Sequence, residues 1–207
     1  MLVDSESVWA SVRRELTIEA GGRWHEGAQV EMMGMSSREW SRYMHEALDV
    51  PMEPAEISAA VVERLEERYR RGVPLLTRAE EAVRSLAGRW PLALASSANR
   101  PIIELVLDLT GLAPLFRVTV SSEEVPRGKP APDVYLEAAG RLGQSPGRCV
   151  AIEDSTNGIR SAHAAGMRVG AVPRPDFPPS PEALELADWR LDSLAELTPE
   201  TLEPSPG

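Results

Sequence analysis

From about residue 73 onward the chain repeats one pattern, a short apolar run followed by a segment of helical spacing. The runs are Leu92-Ala-Leu-Ala-Ser96, Arg117-Val-Thr-Val-Ser121, Cys149-Val-Ala-Ile-Glu153 and Arg168-Val-Gly-Ala-Val172. Helices are predicted over about 101–109, from Ala131 to Leu142, and over 156–165 with Gly166 as the stop. Thr77 is expected to cap a further helix that holds Ala82, Val83 and Leu86. Strands joined by helical crossovers can only pair in parallel, with right-handed connections and helices on both faces. The expected fold class is therefore α/β, with a Rossmann-like parallel sheet. Trp189-Arg-Leu191 reads as an edge strand, and the proline-dense 173–181 as a loop.

The first third has a different texture. Val8, Val12, Leu16 and Glu19 keep helical spacing up to the Gly21–Gly22 pair. A second helix is predicted after Ser36–Ser37, with Ser37 as its cap and Trp40, Tyr43, Met44 and Leu48 as its apolar stripe. A third starts near Pro54, runs through Ile57, Val61, Val62, Leu65 and Tyr69, and ends at Gly72. The division expected is a helical lobe over 4–71, a core over 72–200 and a frayed tail over 201–207.

Charge and cysteine usage exclude several functions. Lys plus Arg number 22 and Asp plus Glu 32, so the net charge is 22 − 32 = −10. So acidic a chain repels a polyphosphate backbone, which argues against nucleic acid as a partner. The single cysteine, Cys149, cannot close an internal disulfide, which fits a reducing, cytoplasmic setting. No run reaches the roughly 18 apolar residues of a membrane span, and the acidic start Met-Leu-Val-Asp-Ser-Glu is unlike a signal peptide. A monomer without membrane contact is expected. His25, His45 and His163 have no partner at metal-binding spacing, and Met32, Met33, Met35 and Trp40 read as packing residues.

Ligands of open α/β sheets sit beyond the C-terminal ends of the strands. Three sequence features fall at that rim. Ser96 ends the first run, where its hydroxyl and nearby N–H groups suit phosphate oxygens, or an ordinary turn. Lys129 stands in Gly128-Lys-Pro-Ala-Pro, where Pro130 and Pro132 stiffen the backbone after it. It is either a fixed phosphate-neutralising charge or a surface lysine at a helix start. Glu153-Asp154 follows an apolar run directly, and adjacent carboxylates there suit a hard cation such as Mg²⁺, which takes oxygen ligands. Alternatively, Asp154 or Ser155 merely caps the next helix.

The order Ser96, Lys129, Glu153-Asp154, within LALASSA, RGKPAPDVYLEAA and CVAIEDSTNGIRSAHAAGM, resembles the haloacid dehalogenase superfamily. The chain looks most like the members with a helical cap inserted after the first strand, such as sugar phosphatases and β-phosphoglucomutase. That resemblance covers nearly the whole chain. It implies a cap that closes over a small phosphorylated metabolite, Mg²⁺ as cofactor, and phosphoryl transfer through an aspartyl-phosphate. By motif, Ser96 would bond the phosphoryl group and Lys129 would stabilise its charge. Asp154 would bind the metal, with Glu153 ligating or supporting it. Ser97 and Asn157 are carried over as substrate-side residues, and Gly158 shapes the loop. Arg38, in Gly34-Met-Ser-Ser-Arg38, is either a substrate contact or a solvated helix-start residue. Trp9 stands where mutase-like members carry a histidine, which favours a phosphatase over a mutase.

The family's nucleophile and general acid/base lie in an Asp-x-Asp-Gly motif that this sequence does not contain. Relatives continue Val-Leu-x-Asp-Ser-Glu, and Met1-Leu-Val-Asp-Ser-Glu6 matches that continuation. Asp4 therefore matches the later aspartate and is no nucleophile. In the superfamily the motif rides on a central strand between those ending at Ser96 and Glu153. About four or five side chains at roughly 1.5–3 kcal/mol each approach the roughly 5–15 kcal/mol that stabilises a whole domain. A chain without them is expected to fold poorly, to aggregate or to leave a slot in the sheet. One expectation is a misassigned start, with a GTG valine codon read as Met1. In-frame upstream DNA checks it: a stop codon with no Asp-x-Asp-Gly would refute it. The other is a non-catalytic phosphate- or Mg²⁺-binding protein, or a decayed fragment with no stable fold.

Overall fold

The computed structural model describes residues 1–203. Four helices come first: α1 (Ser5–Glu19), α2 (Ala28–Met32), α3 (Ser37–Glu46) and α4 (Pro54–Arg71). In α4, Ile57, Val61, Leu65 and Tyr69 recur every fourth residue and are buried as one stripe. It meets α1, which buries Trp9, Val12 and Leu16, and the exposed seam carries the ion pairs Arg64–Glu19 (2.7 Å) and Arg68–Glu15 (2.8 Å). Two details differ from expectation. The cap of α3 is Ser36 rather than Ser37: Glu39 turns back to accept from both the Ser36 N–H and its Oγ, each at 2.7 Å. The short α2 had no periodic signal, because five residues make little more than one turn.

The remainder alternates: α5 (Ala79–Ala87), β1 (Leu92–Ser96), α6 (Arg100–Thr110), β2 (Phe116–Ser121), α7 (Asp133–Leu142), β3 (Val150–Glu153), α8 (Thr156–Ala164), β4 (Arg168–Ala171), α9 (Pro181–Leu184), β5 (Trp189–Arg190) and α10 (Pro199–Leu202). Thr77 does not cap α5; that place belongs to Arg78, in the left-handed conformation at φ 67°. Two expected tail residues, Thr201 and Leu202, are helical, because Thr198 caps α10 and Leu202 packs into the core. Residues 204–207 of that tail lie outside the described residues.

All named strands pair in parallel, but in two separate sheets. One is β1–β2, with Ala93 opposite Val118 and Ser96 opposite Ser121. The other is β3–β4–β5. Between them runs a cavity of about 1050 Å³, which β1 and β3 line from Pro91 and Cys149 at one end to Ser96 and Glu153 at the other. Strands of a parallel sheet are ordinarily buried on both faces. Every residue of β1 is only half-buried, because the cavity opens along it. The two sheets are thus separated by a slot along β1 and β3.

Candidate active site

The sequence-predicted rim residues meet on the cavity wall at the C-terminal ends of β1 and β3. Ser96, Ser97, Lys129, Glu153 and Asp154 all line it. Ser155, not Asp154, caps α8: its Oγ accepts from the Gly158 N–H at 3.0 Å. That leaves the Asp154 side chain at the rim, where Oδ2 lies 3.2 Å from the α-ammonium of Met1.

Lys129 is no surface lysine. Its Nζ is 2.5 Å from Glu153 Oε1 and donates to the Ala95 carbonyl at 3.2 Å, so it ties the end of β1 to the end of β3. Tyr135 completes the arrangement. Its hydroxyl donates to Glu153 Oε1 at 2.6 Å, and its ring centroid lies 4.8 Å from Nζ. The other carboxylate oxygen accepts from the Asp154 N–H and from Ser155 Oγ, both at 3.2 Å. Burial pushes the Glu153 carboxyl up, but the Lys129 ammonium and the bonds from Lys129 and Tyr135 outweigh it and hold it below its ordinary value. Burial, then the Glu153 charge, push the Tyr135 phenol well up, so it stays a donor. Both oxygens of Glu153 are thus engaged within the protein, although both members of the pair line the cavity, and Asp154 is the one whose side chain has no side-chain partner among the described residues.

Ser96 Oγ accepts from the Ala98 N–H at 3.1 Å, and its own proton remains for another acceptor. Ser97 and Asn157 reach instead toward the helical segment: Ser97 Oγ donates to the Gly34 carbonyl (3.3 Å) and Asn157 Nδ2 to that of Met33 (2.9 Å). Gly34 stands at φ +81°, and a Cβ on it would come within 2.9 Å of Asn157. This glycine lets the segment close over the rim. Arg38 is exposed on α3 and does not line the cavity, so the structure does not bring it to the others.

Sequence reasoning missed Tyr135, Glu6 and Arg13. A tyrosine six residues after Lys129 was the available signal for the first. Nothing in the spacing marked the other two, which α1 places on the cavity wall. Trp9 lines it as well, edge-on to Trp40 with centroids 5.8 Å apart.

Residues 2–166 match the family model of haloacid dehalogenase-like hydrolases. The chain belongs to that family. Among its relatives is a probable pseudouridine-5'-phosphatase of Drosophila melanogaster, 35% identical over 208 residues, which span 97% of this chain and 88% of the relative. Hexitol phosphatase B of Escherichia coli K12 is 42% identical over 130 residues, 62% of this chain and 58% of the relative. The structure of a CbbY mutant from Rhodobacter sphaeroides in complex with xylulose-(1,5)bisphosphate superposes with a TM-score of 0.84 at 27% identity, covering 98% of this chain and 95% of that one. The Rossmann-like fold expected from the sequence is thus shared with a haloacid dehalogenase-like neighbour over nearly its full length.

Proposed function

We propose that this chain handles the phosphoryl group of a small phosphorylated metabolite at the Ser96–Lys129–Asp154 rim, as part of a Mg²⁺-dependent phosphatase, with sugar phosphates as the substrate class. The observation that carries this is the buried Lys129–Glu153 pair on the cavity wall at the C-terminal ends of β1 and β3. A fixed ammonium there compensates charge on the phosphoryl oxygens without reorganising. Ser96 donates its remaining proton to one of those oxygens. Ser97 and Asn157 hold residues 33–34 over the site rather than touching substrate. The relatives support the substrate class, since their names refer to phosphatases of small phosphorylated compounds and one solved neighbour holds a sugar bisphosphate.

The donor chemistry fits Mg²⁺. Asp154 is a carboxylate on the cavity wall with no cationic side chain within ion-pair distance among the described residues. Mg²⁺ commonly takes one or two carboxylates and completes its shell with water and substrate phosphate. Asp154 would hold the ion, with Glu153 supporting it through the Asp154 N–H. When bound, the ion neutralises part of the phosphoryl charge.

One feature favours a second reading for the chain as written. The carboxylates lining the cavity are Glu6, Glu153, Asp154 and Glu203. Glu153 is committed to Lys129, Glu203 to Arg89 and Glu6 to Gln29. With Asp154 given to the metal, none of them is left as the attacking group of an aspartyl-phosphate pathway. On this reading the chain binds phosphate and Mg²⁺ without turnover.

Calorimetric titration with inorganic phosphate in Mg²⁺, run beside a hydrolysis assay on hexitol phosphates, tests both. Binding that is lost in Lys129→Ala and in Asp154→Ala is expected. Hydrolysis on top of it supports the phosphatase, and binding without hydrolysis the second reading. Near-normal binding in either variant overturns the rim assignment.

A further inference from the structure

Arg13 is buried on the cavity wall without a direct ion pair, the Glu6 carboxylate standing behind Gln29. Its residue is 5% exposed, and no carboxylate lies within ion-pair distance of it among the described residues. The guanidinium packs against both Trp9 and Trp40, with its central carbon 4.6 and 4.7 Å from their ring centroids. The two indoles, edge-on to each other, form an aromatic corner that holds the cation in place. Among the described residues the guanidinium makes one hydrogen bond, from Nη1 to Gln29 Oε1 at 3.3 Å. Nε is buried and has no partner. Gln29 in turn donates to Glu6 Oε2 at 2.8 Å, so the amide holds a guanidinium and a carboxylate in place on the same wall.

This arrangement is costly for a packing residue. Burying a donor with no acceptor carries the full desolvation penalty of that group, and a cation more so. A methionine would pack against the same tryptophans at no such cost. Burial already drives the Arg13 guanidinium down to about 10, with the Glu6 charge opposing. What relieves the cost is an oxyanion, which a guanidinium edge accepts in bidentate fashion. The cavity that Arg13 lines is the one that Lys129 and Asp154 line at the rim.

We propose that Arg13, packed against Trp9 and Trp40 and braced by Gln29, binds a second oxyanion at the far end of the substrate, a phosphate or a carboxylate. The proposal rests on the phosphoryl-handling reading of the rim. It deepens that reading to metabolites carrying one anionic group at each end, rather than polyol phosphates whose far end is uncharged. Arg13 acts here as a specificity residue and touches no transferring atom.

The test uses the full chain in Mg²⁺ with three six-carbon probes: glucitol 6-phosphate, 6-phosphogluconate and fructose 1,6-bisphosphate. Inorganic phosphate serves as a fourth. Affinity is read by calorimetry and tryptophan emission is read in parallel, because an oxyanion at Arg13 sits against two indoles. Expected is at least a tenfold preference for one or both doubly anionic probes over the polyol phosphate, with an emission change that inorganic phosphate does not give. Whichever of the carboxylate and the bisphosphate binds better identifies the second group. In Arg13→Met the preference and the emission change disappear while inorganic phosphate binds as before. Arg13→Lys keeps the charge without the planar fork and retains a reduced preference, which also covers poor folding of the methionine variant.

A wild-type chain without preference, or a preference that survives in Arg13→Met, overturns the proposal. Failure of the rim looks different. Inorganic phosphate then does not bind at all, while an Arg13-dependent emission change with the doubly anionic probes still supports this site.

Discussion

Lys129 Nζ lies 2.5 Å from Glu153 Oε1, with the two side chains 8% and 6% exposed. The pair joins the loop after β2 to the end of β3, and Lys129 also reaches the last carbonyl-bearing residues of β1 through Ala95. The positive charge at the rim is therefore set by a carboxylate that never meets solvent, and it stands in place before any ligand arrives.

Breaking this pair from one side leaves a buried charge uncompensated. Lys129→Met is expected to cost about 3–5 kcal/mol in urea unfolding. The double variant Lys129→Met/Glu153→Gln removes both charges and is expected to recover a large part of that loss. Additive losses would show that the two residues do not act as a pair.

Gly158 faces the same carboxylate. A Cβ built there would lie 2.0 Å from Glu153 Cδ, far inside contact distance. Gly158→Ala must expel the Glu153 side chain from its position, so phosphate binding is expected to fall as far as in Lys129→Ala, together with a lower melting temperature. Calorimetry of the variant would decide, and retained binding would mean that the rim does not depend on Glu153.

Asn157 clips the segment around Gly34 to the core through one hydrogen bond to Met33. Asn157→Ala is expected to cost only about 1 kcal/mol of global stability. Its effect is local: hydrogen exchange at Met33, Gly34 and Met35 accelerates while the amides of α4 stay protected. Uniform acceleration across both would assign Asn157 to global stability instead.

The slot between β1 and β3 carries apolar side chains such as Leu92, Leu94 and Ile152 on its wall. Exposed apolar surface of this kind takes up hydrophobic dyes. The folded chain is expected to enhance anilinonaphthalene sulfonate fluorescence below the unfolding transition, with near-ultraviolet dichroism intact. Absence of dye binding would mean that the two sheets close on each other in solution.

Glu124 reports on acid stability away from the cavity. Burial raises its carboxyl, but the Ser121 N–H and the Arg100 and Arg141 guanidinium groups outweigh this and hold it at about 2. A folded value below the ordinary 4.5 means stability that is present above that pH and lost as pH falls toward about 2. Glu124→Gln should therefore lower the urea midpoint most above pH 4.5, with the gap to wild type closing on acidification. A gap independent of pH would show that Glu124 acts by packing rather than by charge.

The sequence by itself determined the elements and their order. Apolar runs of strand length, helical spacing and Gly or Pro punctuation are local signals, and each of β1 to β4 falls within a residue or two of its expected place. It also determined that Ser96, Lys129, Glu153 and Asp154 share one rim, because parallel strands must end on the same side of a sheet. Which of them faces a ligand was decided only by the tertiary structure. Glu153 is tied up because Lys129 and Tyr135 meet it across about twenty residues of sequence, and Asp154 is left as the carboxylate without a side-chain partner among the described residues. Ser97 and Asn157 act on the helical segment for the same reason: their partners lie 63 and 124 residues away. Arg13 was invisible in the sequence, since an arginine in an amphipathic helix ordinarily lies on its solvated face. Only the packing of Trp9 and Trp40 against it makes it a buried, under-bonded cation on the cavity wall.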